Sequence, residues 1–128
     1  KLLLQYGPRY RERVLSCAEC LLGLWADSRT RHPYIFYMGE DFRKLKLPFI
    51  WYDILHVLEA LSQVEECRRD PRLLEMLAVV KAKEGQAGYV PESVYQPFKA
   101  WDFGQKKKAS EWMGFCVQRI EARLAGPA

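Results

Sequence analysis

The sequence lacks any long hydrophobic run. Its first residues, KLLLQYGP, contain only three consecutive apolar residues, which is too few for the core of a signal peptide or for a membrane-spanning helix. We therefore expect a cytoplasmic protein without a membrane span. Because the chain begins with Lys rather than Met, we also expect it to be trimmed or to be part of a longer chain.

The chain also has little excess charge of one sign. Its net charge is +4, whereas a nucleic-acid-binding domain usually concentrates more positive charge on one face, so we expect no nucleic-acid partner. The basic residues occur in three short groups. Short groups of this kind are typical of solvated surface near helix ends, but two of them could bind a phosphate or another anion if they converge in space. The three short basic groups are Arg68, Arg69 and Arg72; Arg43, Lys44 and Lys46; and Lys106, Lys107 and Lys108.

Cysteines are few, and only one pair has the spacing of metal ligands. Cys17 and Cys20 form a C-x-x-C pair, whereas Cys67 and Cys116 are isolated. A zinc knuckle would place the pair in a turn, with a second close pair downstream, but this pair lies in an apolar helical run. We expect no metal and no cofactor, and we interpret the four cysteines as buried small apolar residues.

Aromatic residues are plentiful, with seven Tyr, six Phe and four Trp in 128 residues. This composition argues against disorder, and the length suits one domain with a sizeable core. Four segments have helical periodicity, at about 8–26, 48–64, 70–83 and 110–124, and no segment has a convincing strand pattern. The sequence therefore predicts an all-α fold, with a short helical turn within 91–99.

Each predicted helix carries an apolar stripe whose members are three or four residues apart. The start of the third helix is the clearest, because Asp70 can cap the free amides and Pro71 suits the first turn. The four stripes are Val14, Cys17, Leu21, Leu24 and Trp25; Trp51, Ile54, Leu55, Leu58 and Leu61; Leu73, Leu74, Leu77 and Val80; and Met113, Cys116, Val117, Ile120 and Leu124.

An internal repeat organises these helices. Five identities at an offset of 61 residues occur in an eighteen-residue window, where chance would give roughly one. We expect one domain, 1–128, of two helical hairpins, repeat one at about 7–66 and repeat two at about 70–126. Such hairpins stack on neighbours because neither buries both faces alone. The matched pairs are Tyr34 and Tyr95, Asp41 and Asp102, Phe42 and Phe103, Lys46 and Lys107, and Trp51 and Trp112.

Several segments resemble a known group of helical proteins. KAKEGQAGYV is similar to the Gln/Gly/aromatic signature that ends an outer helix in terpene cyclases and protein prenyltransferases, with Tyr89 where Trp is usual. MGEDFRKLKLPFIWYDILHVLEAL, DPRLLEMLAVVKAK and WDFGQKKKASEW resemble bacterial proteins described as prenyltransferase-like or hypothetical. The resemblance implies an α/α toroid, of which two hairpins form an arc, with the second and fourth helices facing any cavity.

The resemblance brings a fold without an activity. The Asp-x-Asp-Asp and Asp-Asp-x-x-Asp motifs of terpene cyclases do not occur in this sequence. The separated Asp, Cys and His that hold zinc in protein prenyltransferases find no residue-by-residue match. A complete toroid also needs about five or six hairpins, and we predict two in this chain. The chain would then be an arc or one end of a larger ring, a small domain that closes differently, or a protomer of an assembly.

The segment WYDILHVL contains the candidates for catalysis. Asp53 and His56 are three residues apart, so they share one face of the predicted helix. An aspartate in this position could orient the imidazole and raise its basicity, as a general base requires. The alternative is an ordinary polar pair beside the aromatic connection, since no nucleophile or metal partner accompanies it.

A ligand-binding site could form close to these two residues. Tyrosines and charged residues precede the second helix, and lysines precede the fourth, where the positive end of the helix dipole favours a phosphate. The candidate ligand-binding residues are Tyr34, Tyr37, Asp41, Arg43, Lys44, Tyr52, Lys106 and Lys107.

The repeated residues also have structural interpretations. Asp41 and Asp102 could accept backbone amides of the connections in which they lie. Trp51 and Trp112 could be core residues that seat the second and fourth helices. The alternative for the two tryptophans is an aromatic wall for an apolar or cationic ligand.

Three functions remain open at this point. The first is a helical-repeat domain that binds an apolar or phosphate-bearing ligand without catalysis. The second is an enzyme with Asp53 and His56 as acid and base, and the third is a structural or interaction module. In the third case, aromatic stripes dock onto the remainder of a longer chain, onto a second copy or onto a partner. The sequence names neither a reaction nor a ligand.

Overall fold

The computed structural model describes residues 7–31, 37–48, 52–100 and 108–126. Within these ranges the chain is mostly helical, as the sequence predicts. The α-helices there are α1 (Arg11–Ala26), α2 (Ile54–Leu61), α3 (Pro71–Lys81) and α4 (Glu111–Ala125). The remaining elements are the 3-10 turns Gly7–Tyr10, Glu65–Cys67 and Gln96–Phe98 and the two-residue strands β1 (Lys46–Leu47) and β2 (Ser93–Val94). None of the helices in these ranges is long and apolar enough to cross a membrane.

Side-chain caps set the starts of α3 and α4. Asp70 accepts a hydrogen bond from the amide of Arg72 at 2.8 Å, and Pro71 occupies the first helical position. Ser110 accepts the amide of Met113 at 3.4 Å at the start of α4. Both starts agree with the sequence prediction.

The second helix is shorter than predicted. It begins at Ile54 rather than at Pro48, because Asp53 is in an extended conformation and its carboxylate accepts the amide of His56 at 2.8 Å. The helix ends at Leu61, where the prediction extends to about 64. Pro48 instead follows directly after β1.

The core is arranged around α2, most of whose side chains are buried. Helices α3 and α4 both contact α2, and α1 contacts α3. The last two helices therefore pack on the first two. The other core residues that belong to helices are Val14, Ala18, Leu22, Trp25, Leu73, Met76, Leu77, Val80, Met113, Cys116, Val117 and Ile120.

The buried face of α1 is rotated relative to the predicted stripe. Val14 and Trp25 are buried as expected, but the positions between them are Ala18 and Leu22. Cys17 and Cys20 are exposed, so their interpretation as buried apolar residues is wrong, because they lie on the solvent side of this helix.

Two other apolar residues also lie outside the core. Leu74 is 46% exposed, and Met76 takes the core position on α3. Trp112 is 50% exposed, so its interpretation as a core residue is wrong, since α4 turns other positions, such as Met113 and Ile120, toward the core. The interpretation of Cys67 and Cys116 as buried residues is confirmed.

The two aromatic connections meet in a short parallel strand pair, which the sequence analysis missed. Lys46 lies opposite Ser93, and Leu47 lies opposite Val94. Two residues are too few to produce the alternating pattern that identifies a strand.

Glu92, the residue before β2, forms hydrogen bonds with Leu45, the residue before β1, and so extends the strand pair. The Glu92 carboxylate accepts the Leu45 amide at 2.8 Å, and the Leu45 carbonyl accepts the Glu92 amide at 2.8 Å. Lys83 in turn donates to both carboxylate oxygens of Glu92, at 2.8 and 2.9 Å. The two connections are thus tied to each other and to the end of α3.

In the segment KAKEGQAGYV, a turn follows Lys81, the last residue of α3. Gly85 and Gly88 exchange backbone hydrogen bonds, and Gly88 has a φ of 101°, which glycine adopts without strain. Tyr89 is buried, and its hydroxyl donates to Glu84 at 3.3 Å. Its carbonyl accepts the amide of Ser110 at 2.8 Å, which ties this turn to the start of α4.

The spacing of the helix starts is close to the predicted period, and the repeat itself stays a prediction. Helices α1 and α3 begin 60 residues apart, at Arg11 and Pro71, and α2 and α4 begin 57 apart, at Ile54 and Glu111. The equivalence of the matched pairs and the repeat boundaries stay predictions, because each pair has one member outside the described residues. These members are Tyr34, Trp51, Asp102, Phe103 and Lys107.

A buried carboxylate joins the two hairpins. Glu59 Oε1 on α2 lies 3.0 Å from Arg119 Nη2 and 3.0 Å from Arg123 Nη1 on α4. Arg123 also donates to the hydroxyl of Ser62 at 3.2 Å. One buried negative charge thus holds two guanidinium groups of the next hairpin, which fixes α4 against the C-terminal end of α2.

Candidate functional site

Two adjoining open cavities lie where the first aromatic connection meets the β1–β2 pair. Their volumes are about 450 and 480 Å³, and Asp41 and Tyr52 line both of them. We call the two cavities together the Tyr52 groove. Its lining residues are Tyr37, Glu40, Asp41, Phe42, Lys44, Lys46, Leu47, Pro48, Tyr52, Ser93, Val94, Tyr95 and Gln96.

Backbone hydrogen bonds assemble the groove from two distant segments. The carbonyl of Leu47 accepts the amide of Tyr95 at 3.0 Å, which brings the second connection beside β1. The carbonyl of Phe42 accepts the amide of Ile54 at 2.9 Å, which holds the first connection against the start of α2. The rings of Phe42 and Tyr52 are 6.3 Å apart, centroid to centroid. The tyrosine rings are therefore positioned by main-chain contacts on both sides of the groove.

The charges of the groove form a compact ion cluster. Asp41 accepts hydrogen bonds from Lys46 Nζ at 2.5 Å and from Lys44 Nζ at 3.3 Å. The hydrogen bond from Lys46 is the main reason that the pKa of Asp41 lies below its usual value of 3.8, and Lys44 adds to the effect. With Glu40, the lining has two acids and two lysines, so its formal charge is zero.

The structure brings together four of the candidate ligand-binding residues. Tyr37, Asp41, Lys44 and Tyr52 all line the groove. Tyr34, Lys106 and Lys107 lie outside the described residues.

Arg43 points to a different place. Its guanidinium lies 4.4 Å from the ring centroid of Trp25, and it donates to the hydroxyl of Ser28 at 3.4 Å. Arg43 therefore packs against the end of α1, where a cation on an aromatic face contributes to stability.

Sequence reasoning missed the half of the groove that comes from the second connection. Ser93, Val94, Tyr95 and Gln96 reach it only through the pairing of β1 with β2. The one available signal was the repeat, which matched Tyr95 with Tyr34 and marked Lys46 as a repeated residue. The repeat did not indicate that the two connections contact each other.

The candidate catalytic residues Asp53 and His56 lie beside the groove and are not among its lining residues. Asp53 is fully buried. One carboxylate oxygen accepts the amide of His56 at 2.8 Å, and the other accepts the amide of Lys46 at 3.2 Å. The imidazole Nδ1 is 3.4 Å from the carboxylate. The geometry thus gives Asp53 a structural task, which is to fix the start of α2 and to hold β1 beside it.

Three residues of the basic groups, Lys44, Lys46 and Arg72, pair with nearby acids. Arg72 forms ion pairs with Glu19 at 2.7 Å and with Asp70 at 2.8 Å, which raises the pKa of its guanidinium and lowers the pKa of both carboxyls. In the parts of the chain that the structure describes, no three His, Cys, Asp or Glu side chains come together as metal ligands.

Comparison with known proteins adds no relative: no family model, no curated protein and no solved structure matches this chain. The function must therefore be inferred from the geometry and charges of the groove.

Replacing Asp53 with Ala should lower the free energy of unfolding by about 2 to 4 kcal/mol. The α2 cap is lost, and the amide of Lys46 loses its acceptor. Asp53→Asn keeps an acceptor oxygen and should cost less. Denaturant titrations followed by circular dichroism measure both changes. Equal stability of Asp53→Ala and the wild type would contradict the structural role.

The pKa of Asp41 should rise toward 3.8 when Lys46 is replaced by Gln, because the largest stabilising contact of the carboxylate is removed. Lys44→Gln should raise it less. Since the folded-state pKa is depressed, the ionised carboxylate stabilises the fold above its usual pKa, and this contribution is lost as the pH falls through the folded value. Carboxyl carbon NMR titrations measure the pKa. A larger effect of Lys44→Gln would contradict the geometry.

Proposed function

We propose that this chain is a helical-repeat ligand-binding domain and that the Tyr52 groove holds a small organic molecule. The observation that supports this most is the convergence of three exposed rings, Tyr37, Tyr52 and Tyr95, on one groove. Each cavity lies within the range of about 300 to 1,000 Å³ that is typical of small-molecule sites. Tyrosine suits such a place because its ring contacts an apolar ligand while its hydroxyl stays in water.

The apolar surface of the groove defines the body of the ligand. Leu47 and Val94 lie opposite each other in the strand pair and line the same cavity as the rings of Tyr52 and Tyr95. A flat or compact apolar group could contact both the strand pair and the rings. Ser93 and Gln96 add hydrogen-bonding groups to this cavity and would orient polar substituents.

The charge balance favours an uncharged ligand over a phosphate-bearing one. The carboxylate of Asp41 already lies 2.5 Å from the Lys46 ammonium and 3.3 Å from that of Lys44. A phosphate would have to displace this carboxylate or accept its repulsion. An uncharged molecule could instead hydrogen-bond to the ion cluster without breaking it.

Catalysis by Asp53 and His56 receives less support than binding. A general base must reach the proton that it removes, and neither His56 nor Asp53 lines the groove. Both oxygens of the buried Asp53 carboxylate also accept backbone amides. The groove and the acid–base pair are also formed by different side chains. Binding without catalysis is therefore the function that we carry forward.

We further propose that the two hairpins form an arc of an α/α toroid of the prenyltransferase-like type. The contacts of α1 with α3 and of α2 with α4 support this arrangement, because they pair the first helices of the hairpins and the second helices of the hairpins. On α2, His56 and Ala60 are the positions that keep partial exposure. Only a narrow face of α2 could therefore line a toroid cavity.

Indole, as an uncharged aromatic probe, should bind in the groove with an affinity in the millimolar range. Amide NMR titration should show saturable shifts at Leu47, Tyr52 and Val94. Tyr52→Ala should weaken binding by about fivefold, because roughly 1 kcal/mol of aromatic contact is lost. Inorganic pyrophosphate, the anionic probe, should cause no saturable shifts at these residues.

Phe115→Ala serves as the control, because it removes an equally exposed ring from α4, away from the groove. It should leave the indole affinity unchanged. Binding of indole that Tyr52→Ala does not weaken would contradict the proposed site. Saturable pyrophosphate binding at the groove would contradict the preference for an uncharged ligand.

A further inference from the structure

Helix α4 carries a second face with no role in the groove. Trp112 is 50% and Phe115 49% exposed, and their ring centroids are 5.5 Å apart. The guanidinium of Arg119 lies 5.0 Å from the centroid of Phe115. We call Trp112, Phe115 and Arg119 the α4 aromatic face. None of these three residues is among those that α4 buries against the core.

Large exposed apolar side chains are unevenly distributed over the helices that the structure describes. They occur in the second hairpin, with Leu74 on α3 and Trp112 and Phe115 on α4, and none occurs on α1 or α2. Terminal repeats of a helical array normally have a polar outer face, and adjacent exposed aromatics mark an interaction surface.

We propose that the α4 aromatic face is the interface of a homodimer, in which α4 packs antiparallel against α4 of a second copy. The two-fold axis would pass beside Phe115, so that the two Phe115 rings meet. This inference goes beyond the proposed ligand binding and does not depend on it.

The charges of α4 are self-complementary in this arrangement. If the two-fold axis passes at Phe115, the residue four positions before Phe115 in one helix lies opposite the residue four positions after Phe115 in the partner helix. Glu111 therefore lies opposite the partner's Arg119, and Arg119 lies opposite the partner's Glu111. Glu111 is exposed and forms no ion pair within the described residues.

Arg119 has a reason to attract a second carboxylate. Glu59 is shared between Arg119 and Arg123, so two guanidinium groups face a single negative charge. About a third of the Arg119 side chain remains exposed to solvent. The partner's Glu111 would balance the extra positive charge and select the antiparallel orientation.

The size of this surface predicts a weak dimer. The fifteen residues of α4 span about 22 Å, which makes a short helix pair for a specific interface, since such interfaces bury at least about 1,000 Å². We expect a dissociation constant in the micromolar range, so that the fraction of dimer rises with concentration.

Sedimentation velocity of the chain over about a hundredfold range of concentration tests the proposal. The wild type should shift from monomer to dimer, and Phe115→Glu should weaken dimerisation by about tenfold or more, because two carboxylates meet at the axis. A Glu at 115 precedes Arg119 by four residues, which favours the helix. Circular dichroism checks that the fold is kept.

Leu74→Glu is the matched control, because Leu74 is 46% exposed but lies on α3. It should leave the dimerisation constant unchanged. A wild type that stays monomeric, or a dimer that Leu74→Glu disrupts and Phe115→Glu spares, overturns the proposal. If Phe115→Glu fails to fold, Glu111→Lys decides, since a lysine opposite Arg119 should weaken the dimer and an unchanged constant overturns the interface.

Discussion

One oxygen of the Asp53 carboxylate accepts the amide of His56, and the other accepts the amide of Lys46. The first bond starts α2, the helix around which the core is arranged. The second bond places β1 against that helix, and β1 in turn pairs with β2 and brings the second connection to the groove. The side chain of Lys46 then reaches Asp41. A single buried carboxylate thus links the core helix to both walls of the candidate site.

The groove and the α4 aromatic face, the two surfaces for which we propose functions, are formed by different parts of the fold. The groove lies at the junction of the two aromatic connections, where rigid main-chain contacts support exposed tyrosine rings. The α4 aromatic face lies on the outer side of the second hairpin, and the Glu59 ion cluster connects α4 to α2. Because the two surfaces use different side chains, a ligand in the groove need not compete with a partner on α4.

Local signals allowed the sequence to predict much of the fold. Asp70 with Pro71 marked the start of α3, and the position of Ser110 agreed with the start of α4. The errors arose where tertiary contacts decide the outcome. The α1 stripe fits two adjacent helix faces almost equally well, and contact with α3 selects the face with Ala18 over the face with Cys17.

One wall of the candidate site could be predicted from the sequence, and the opposite wall could not. Tyr37, Asp41, Lys44 and Tyr52 lie close together in the sequence, so one segment was enough to find them. The opposite wall depends on a strand pair of two residues, which leaves no periodic signal.

Amide hydrogen exchange at Lys46 tests the central claim most directly, because this amide has the Asp53 carboxylate as its acceptor. If Asp53 organises both α2 and the groove, the amides of Lys46 and His56 should exchange with similarly strong protection, close to that of the core of α2. Fast exchange at Lys46 together with slow exchange at His56 would contradict the account. In that case Asp53 would only cap the helix, and the groove would have to be held together by other contacts.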